Sequence, residues 1–249
     1  MKEIGRIGVV GAGTMGHGIA QVAAQSGLRV TMVDVAPAAL EAGVAKIGKG
    51  LGKLLAKEKI SAEEHQRALE RVSTSTEMAD LAECGLVVEA VVEKFEVKAQ
   101  VLEALDEVCG ADTVLATNTS SISITRLAAQ TSRADQVIGM HFMNPVPLMK
   151  LVEIIRGLAT SQETFDQVEE LTRRMGKAPV EVHDAPGFVS NRVLMPMINE
   201  AVFCLADGVG DARAIDDVMR LGMNHPMGPL ALADLIGLDI CLDILSVLN

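Results

Sequence analysis

The sequence has no tryptophan and no tyrosine, and five phenylalanines are its only aromatics in 249 residues. A core without large rings has to be aliphatic, and thirteen methionines supply adaptable filler. Positive charge is also scarce. Lys and Arg number 22 against 33 Asp and Glu, for a formal net charge of −11. This excludes nucleic acid as a general partner, because phosphate binding needs a basic face. Any anionic ligand then needs a local basic patch. The four cysteines (Cys84, Cys109, Cys204, Cys241) form no C-x-x-C pair and no dense framework. Reduced thiols and a cytoplasmic setting are the simple expectation. An uninterrupted apolar span is missing too. Residues 7–28 lack Asp, Glu, Lys and Arg but contain glycines at 8, 11, 13, 16, 18 and 27, with His17, Gln21 and Gln25. This is a glycine-rich turn with a buried helix, not a membrane span. Met1-Lys2-Glu3 leads straight into an apolar run, so no signal peptide is expected.

What is present is a strong alternation. Hydrophobic residues make up 49% of the chain, enough for one large domain or two smaller ones with a real core. Strand-like runs occur at 4–10, 28–34, 85–92, 113–116, 136–142, 149–155 and 179–182. Helical periodicity lies between several of them, with start signals in the capping box Ser61-x-x-Glu64 and, more weakly, Ser161-x-x-Thr164. Near-continuous apolar strands alternating with helices predict an α/β fold, a mainly parallel sheet covered on both faces. The pattern changes after Asp184, where Pro186-Gly187 breaks the chain. The expected division is a first domain at 1–185 and a smaller all-α domain at 186–249, with helices at 188–206, 212–221 and 229–248. So small a helical piece is expected to pack on the first domain and on a partner subunit. Residues 40–60 carry an apolar stripe (Leu40, Val44, Ile47, Leu51, Leu54, Leu55) at helical spacing. Gly43, Gly48, Gly50 and Gly52 interrupt it, each at roughly 1 kcal/mol against Ala, so the helix is expected to be soft.

The run Ile7-Gly8-Val9-Val10 is followed by Gly11-Ala12-Gly13-Thr14-Met15-Gly16. A strand, then G-x-G-x-x-G, then a helix is the arrangement that holds a dinucleotide pyrophosphate. The first glycine makes the tight turn, the second admits the phosphates and the third lets helix and strand pack closely. The helix N-terminus adds unpaired N–H groups and partial positive charge. Asp34 ends the next apolar run at the expected distance. An acid there accepts from ribose hydroxyls and repels a 2′-phosphate, which favours NAD over NADP. The fold expectation is therefore a Rossmann-type sheet domain. The competing reading is a purely structural strand–turn–helix.

Other residues carry possible chemistry. Asn118-Thr119-Ser120-Ser121 follows a strand, on the sheet edge where open α/β folds bind ligands. Either serine could cap the helix expected at 123–130 or point at substrate. His141 ends another apolar run and Glu153 sits inside the next one, where an unpaired carboxylate would be expensive to bury. The turn Asn144-Pro145-Val146-Pro147 could bring them together. A carboxylate fixes an imidazole's tautomer and raises its basicity, giving a proton acceptor near neutral pH. The alternative leaves Glu153 facing solvent. Asn191, early in a helix, could donate to a carbonyl or cap locally. Pro196 should kink that helix.

These motifs together resemble the L-3-hydroxyacyl-CoA dehydrogenase family. The resemblance rests on the glycine loop, Asn118-Thr-Ser-Ser, His141-Phe-Met-Asn-Pro-Val-Pro, Asp184-Ala-Pro-Gly-Phe-Val-Ser-Asn-Arg192 and His225-Pro-Met-Gly-Pro-Leu. It runs in order over essentially the whole chain and is strongest to bacterial members acting on 3-hydroxybutyryl-CoA. It implies an NAD-dependent enzyme with no metal. His141 is implied as base and Glu153 as its orienting partner. Ser120 and Asn191 are implied around the substrate oxygen, and Asp34 at the ribose. Glu93, Lys98 and Asn144 are implied near the nicotinamide half of NAD, and Ser120 among the cofactor contacts. A dimer through the helical domain is implied as well. Lys46, Lys49, Lys53 and Lys57 form a helical stripe suited to coenzyme A phosphates, though such a stripe is also an ordinary solvated face. Gly50 stands where the family often has Ser, and family members continue for some dozens of residues beyond Asn249, so a truncated helical domain is expected. Two other functions remain open: a hydroxy-acid dehydrogenase without CoA, of the gulonate type, and a non-catalytic, crystallin-like NAD-binding protein.

Overall fold

A computed structural model describes residues 4–248. The Met1-Lys2-Glu3 lead-in and Asn249 lie outside the described residues. The chain divides into two compact units, residues 1–184 and 185–249.

The first unit is built on an eight-stranded sheet. Its elements are β1 (Arg6–Val10), α1 (Thr14–Gln25), β2 (Arg29–Val33), α2 (Pro37–Ala56), α3 (Ala62–Glu70), β3 (Val72–Ser75), β4 (Leu86–Glu89), α4 (Phe95–Val108), β5 (Val114–Thr117), α5 (Ile124–Ala128), β6 (Val137–Phe142), β7 (Leu151–Arg156), α6 (Gln162–Arg174) and β8 (Ala178–His183). The strand order is β3-β2-β1-β4-β5-β6-β7-β8. Every neighbouring pair is parallel except β6 and β7, which run antiparallel. Because β1 sits between β2 and β4, the winding reverses there, and the carboxyl ends of β1 and β4 mark the switch point at which open α/β sheets bind ligands. This is the expected mainly parallel α/β sheet.

The core is mainly aliphatic, with Phe142 and Phe165 also packed into it. Ile7, Val9, Ile19, Leu28, Val30, Leu86, Val88 and Ile138 cluster on it, with Met32 and Met140 fully buried among them. α2 starts at Pro37, whose fixed φ suits a first helical turn, and ends at Ala56 rather than running from 40 to 60. Two of its glycines are close-approach positions. A Cβ on Gly43 would lie 3.0 Å from Met32 and 3.1 Å from the Ala12 carbonyl, and one on Gly50 would lie 2.4 Å from the Gln21 amide oxygen. At Gly43 the Ala12 neighbour is backbone and has little room to give, whereas at Gly50 it is the end of the flexible Gln21 side chain, which can move aside.

Further helical expectations need correction. The helix expected at 123–130 is the shorter α5. The stretch expected at 212–221 is α8 (Ala212–Asp217) followed by a π-turn at Val218–Gly222. The helix expected at 229–248 is two, α9 (Pro229–Ile236) and α10 (Leu238–Leu248), because Gly237 at φ +106° breaks the ladder. The second unit is therefore α7 (Ser190–Ala206), α8, α9 and α10 around Met195, Ile198, Ala233 and Cys241. α7 begins two residues later than expected, since Gly187 and Phe188 have positive φ.

Candidate active site

The glycine loop joins β1 to α1. Gly11 has φ +101° and donates its N–H to the Val33 carbonyl at 2.7 Å. A Cβ on Gly16 would fall 1.8 Å from the Gly11 carbonyl oxygen, so the third glycine is what lets the helix fold back on the turn. At Gly13 an added Cβ would meet nothing within 4 Å. The space over the helix start is open. Gly13 caps α1 without a side-chain hydrogen bond, and the first turn, with Thr14 and Met15, carries no acid. An open cradle, a helix start without a side-chain cap and a first turn without an acid fit an anion such as a dinucleotide pyrophosphate. Asp34 anchors the far side. One of its oxygens accepts from the Ala12 N–H at 2.8 Å and the other from the Ala36 N–H at 3.0 Å, which holds the carboxylate at the end of β2.

His141 and Glu153 occupy opposed positions on β6 and β7. The His141 Nδ1 lies 2.7 Å from a Glu153 carboxylate oxygen, and the residues are 6% and 2% exposed. Burial decides between the two sequence readings, since Glu153 does not face solvent. Asn118 ties β5 to β6 by accepting from the Phe142 N–H at 2.9 Å. Asn144 is exposed on the loop that follows β6. Lys177 pins that loop by donating to the Val146 carbonyl and, at 2.8 Å, to the Met149 carbonyl. Burial pushes the Lys177 pKa down.

The loop after β5 does not use Ser120 or Ser121 as a helix cap. Ser123 caps α5, and Asp184 reinforces it, accepting from the Ser123 hydroxyl at 2.7 Å and from the Ile124 and Thr125 N–H groups at 3.1 and 2.8 Å. Ser120 and Ser121 instead donate their N–H groups to one Glu93 oxygen, at 2.7 and 3.1 Å. The Thr119 hydroxyl donates to the same oxygen. Burial alone would raise the Glu93 pKa, but the Lys98 charge and the hydrogen bonds from Thr119 and Ser120 outweigh it and hold the carboxyl below its usual range. Lys98 is only 1% exposed. Its ammonium lies 2.8 Å from Glu89 and 3.2 Å from Glu93. Glu89 was not singled out by sequence. The signal was there: like Glu153, it is a carboxylate in an otherwise apolar strand.

The other candidates lie elsewhere. Lys46, Lys49 and Lys53 are exposed along α2, and Lys57 is exposed at its C-cap. Asn191 is in the first turn of α7, in the second unit. Among the described residues, no group of three or more His, Cys, Asp or Glu side chains could hold a metal ion. No described helix is long and apolar enough to cross a membrane.

Known proteins match this architecture along the whole chain. Residues 6–185 match the family described as 3-hydroxyacyl-CoA dehydrogenase, NAD binding domain, and residues 187–249 match the 3-hydroxyacyl-CoA dehydrogenase C-terminal domain. A probable 3-hydroxybutyryl-CoA dehydrogenase of Bacillus subtilis is 54% identical over 247 residues, covering 99% of this chain and 86% of the relative. A 3-hydroxybutyryl-CoA dehydrogenase of Bradyrhizobium diazoefficiens is 49% identical, covering 99% of this chain and 84% of its own. The crystal structure of an (S)-3-hydroxybutyryl-CoA dehydrogenase from Ralstonia eutropha superposes with a TM-score of 0.97 at 51% identity, covering 99% of this chain and 87% of that one. The glycine cradle, the acid after β2 and the two matched domains have one source: the chain belongs to the 3-hydroxyacyl-CoA dehydrogenase family, NAD-binding oxidoreductases.

Proposed function

We propose that this protein interconverts (S)-3-hydroxyacyl-CoA, with 3-hydroxybutyryl-CoA as substrate, and the 3-oxoacyl-CoA, using His141 as general base and acid. The observation that carries the reading is the buried 2.7 Å contact between His141 Nδ1 and Glu153. A carboxylate at Nδ1 keeps the proton on that nitrogen, which makes Nε2 the basic one. In oxidation Nε2 takes the proton of the 3-hydroxyl, and Glu153 stabilises the imidazolium that forms. In reduction the imidazolium returns the proton to the ketone oxygen. NAD supplies the hydride acceptor or donor when bound.

The remaining roles follow the same reading. The Gly11–Gly16 loop receives the pyrophosphate and Asp34 the adenosine ribose. Glu93 and Asn144 serve the nicotinamide half. Ser120 and Asn191 surround the substrate oxygen. Lys46, Lys49, Lys53 and Lys57 take the CoA phosphates, the local basic patch that a chain at −11 requires. Residues 1–185 serve as the NAD-binding domain, and residues 186–249 as the helical domain of a homodimer. Apolar side chains left exposed in the second unit support that association, with Phe203 at 53%, Leu221 at 76% and Leu235 at 70%. The four cysteines are all free thiols, in keeping with a cytoplasmic enzyme.

The test is NADH oxidation by the purified protein with acetoacetyl-CoA, beside free acetoacetate and NADPH. Turnover with the thioester and NADH alone is expected. Turnover of free acetoacetate at a comparable rate would overturn the CoA assignment.

A further inference from the structure

The connection between β6 and β7, residues 143–150, follows directly on His141 and Phe142 and carries Asn144. Among these residues only Val146 is buried, at 2% exposure. A loop with one apolar anchor has little to hold it still. Val146 is seated against α1. A Cβ on Gly18 would lie 2.8 Å from the Val146 Cβ and 3.7 Å from the Pro147 ring. Gly18 is therefore the gap that admits the loop, about one turn into the helix that starts at the glycine cradle.

The second hold is polar. The Leu148 and Met149 N–H groups both donate to the Pro145 carbonyl, at 2.9 and 3.0 Å, which closes a turn. The Val146 and Met149 carbonyls meet at the Lys177 ammonium, which donates to both. Lys177 stands between α6 and β8. Its own N–H donates to the Thr172 carbonyl at 3.1 Å, and the next residue, Ala178, donates to the Lys150 carbonyl at 2.8 Å. Its backbone is thus tied to two regular elements, and its side chain reaches from them to the loop.

Among the described residues no carboxylate pairs with this ammonium, and burial alone moves its pKa. A partly buried ammonium without a counter-ion carries a desolvation cost that no Coulomb attraction offsets. An apolar side chain could cover the same surface without that cost. It could not hold two carbonyls three residues apart at one point, as the three N–H donors of an ammonium do.

We propose that Lys177 is a positioning residue: by gathering the Val146 and Met149 carbonyls it fixes the loop after β6 against α1, and so places Asn144 for the nicotinamide half of NAD. The inference rests on the reading that Asn144 serves that half.

The experiment is a double-mutant cycle on the full chain, with Lys177→Met, Asn144→Ala and both together. NADH affinity is measured well below each melting temperature, beside steady-state turnover of acetoacetyl-CoA. Methionine keeps the apolar stem and removes the donors. If Lys177 acts through Asn144, each single change weakens NADH about tenfold and the double is no worse than Asn144→Ala alone. At saturating NADH, kcat falls while KM for acetoacetyl-CoA stays near the wild-type value. Losses that multiply would mean that Lys177 acts by another route, and would overturn the proposal. So would a Lys177→Met protein that melts early yet binds NADH as the wild type does, the mark of a merely structural lysine. If Lys177→Met does not fold, Lys177→Gln, neutral and on a shorter stem, enters the cycle with the same reading. Asn144→Ala that weakens NADH beside a Lys177→Met that does not sinks the proposal and leaves Asn144 its role. Asn144→Ala with wild-type affinity sinks both.

Discussion

His141 and Glu153 face each other across the antiparallel pair β6–β7, in a sheet whose other described pairings are parallel. Antiparallel partners directly opposite one another hold their side chains about 5 Å apart at Cβ, close enough for a ring nitrogen and a carboxylate to meet without a loop to place them. The pair is thus fixed by sheet register. Glu153→Gln keeps the shape but offers an amide, which neither enforces the tautomer nor stabilises the imidazolium. We expect kcat to fall by about 100-fold or more with KM for acyl-CoA nearly unchanged, measured by steady-state NADH oxidation. A loss confined to KM would count against the base role.

The glycines of the dinucleotide loop should separate by what each protects. Gly16→Ala places a methyl 1.8 Å from the Gly11 carbonyl oxygen, so the helix and turn must move apart. Gly13→Ala meets nothing within 4 Å. We expect Gly16→Ala to lower the melting temperature by several degrees, on the order of 1–3 kcal/mol of overpacking. Gly13→Ala should melt close to wild type yet bind NADH poorly, because its methyl stands in the open cradle. Equal melting behaviour of the two variants would contradict this division.

Asp34 holds the Ala12 and Ala36 N–H groups, and one substitution tests the proposal that its charge also disfavours a 2′-phosphate. Asp34→Ser should lower kcat/KM for NADH by about 10- to 100-fold, the usual worth of hydrogen bonds to a charged group. The NADPH value should fall less, or rise, so that the ratio of the two cofactors narrows. A ratio that stays fixed would remove Asp34 from cofactor selection.

Much of this was legible because burial writes itself into composition. Strands covered on both faces read as apolar runs, and seven of the eight were visible, the seventh being the largely exposed edge strand β8, read from Pro179-Val180-Glu181-Val182. β3 was not, because Val72-Ser73-Thr74-Ser75 is a polar strand at the sheet edge, held by pairing with β2 rather than by its own burial. The His141–Glu153 pair was readable from one anomaly, a carboxylate inside an apolar strand. Glu89 presents the same anomaly, and its partner Lys98 lies on the following helix α4, nine residues on, so no local spacing links them. The Asp184 cap on α5 spans about sixty residues and depends on the sheet bringing both ends together. Long-range polar contacts of this kind have no signature in a linear pattern.

The thiols offer a check on burial. Burial pushes the Cys84 thiol up to about 12 and the Cys109 thiol up to about 11. At pH 8 both are protonated and enclosed, and so poor nucleophiles. Cys204 is partly exposed. A disulfide reagent should label Cys204 first in the native protein, with Cys84 and Cys109 reacting only on unfolding. Early labelling of Cys84, read by peptide mass, would mean that the packing around β4 opens far more readily than its burial implies.

The lysine stripe is the least protected of the proposed roles, and the most easily tested. Lys53 and Lys57 are exposed, and single exposed charges contribute only about 0.2–1 kcal/mol to a pairing. Reversing both changes the local charge by four units, with repulsion replacing attraction toward the CoA phosphates. We expect Lys53→Glu/Lys57→Glu to raise KM for acetoacetyl-CoA by about tenfold at low salt, with the difference shrinking as ionic strength rises and the Debye length falls below about 10 Å. NADH affinity should not move, because the glycine cradle is formed by β1 and α1 while these lysines end α2. An unchanged KM at low salt would return the stripe to an ordinary solvated face and leave the phosphates of CoA to other residues.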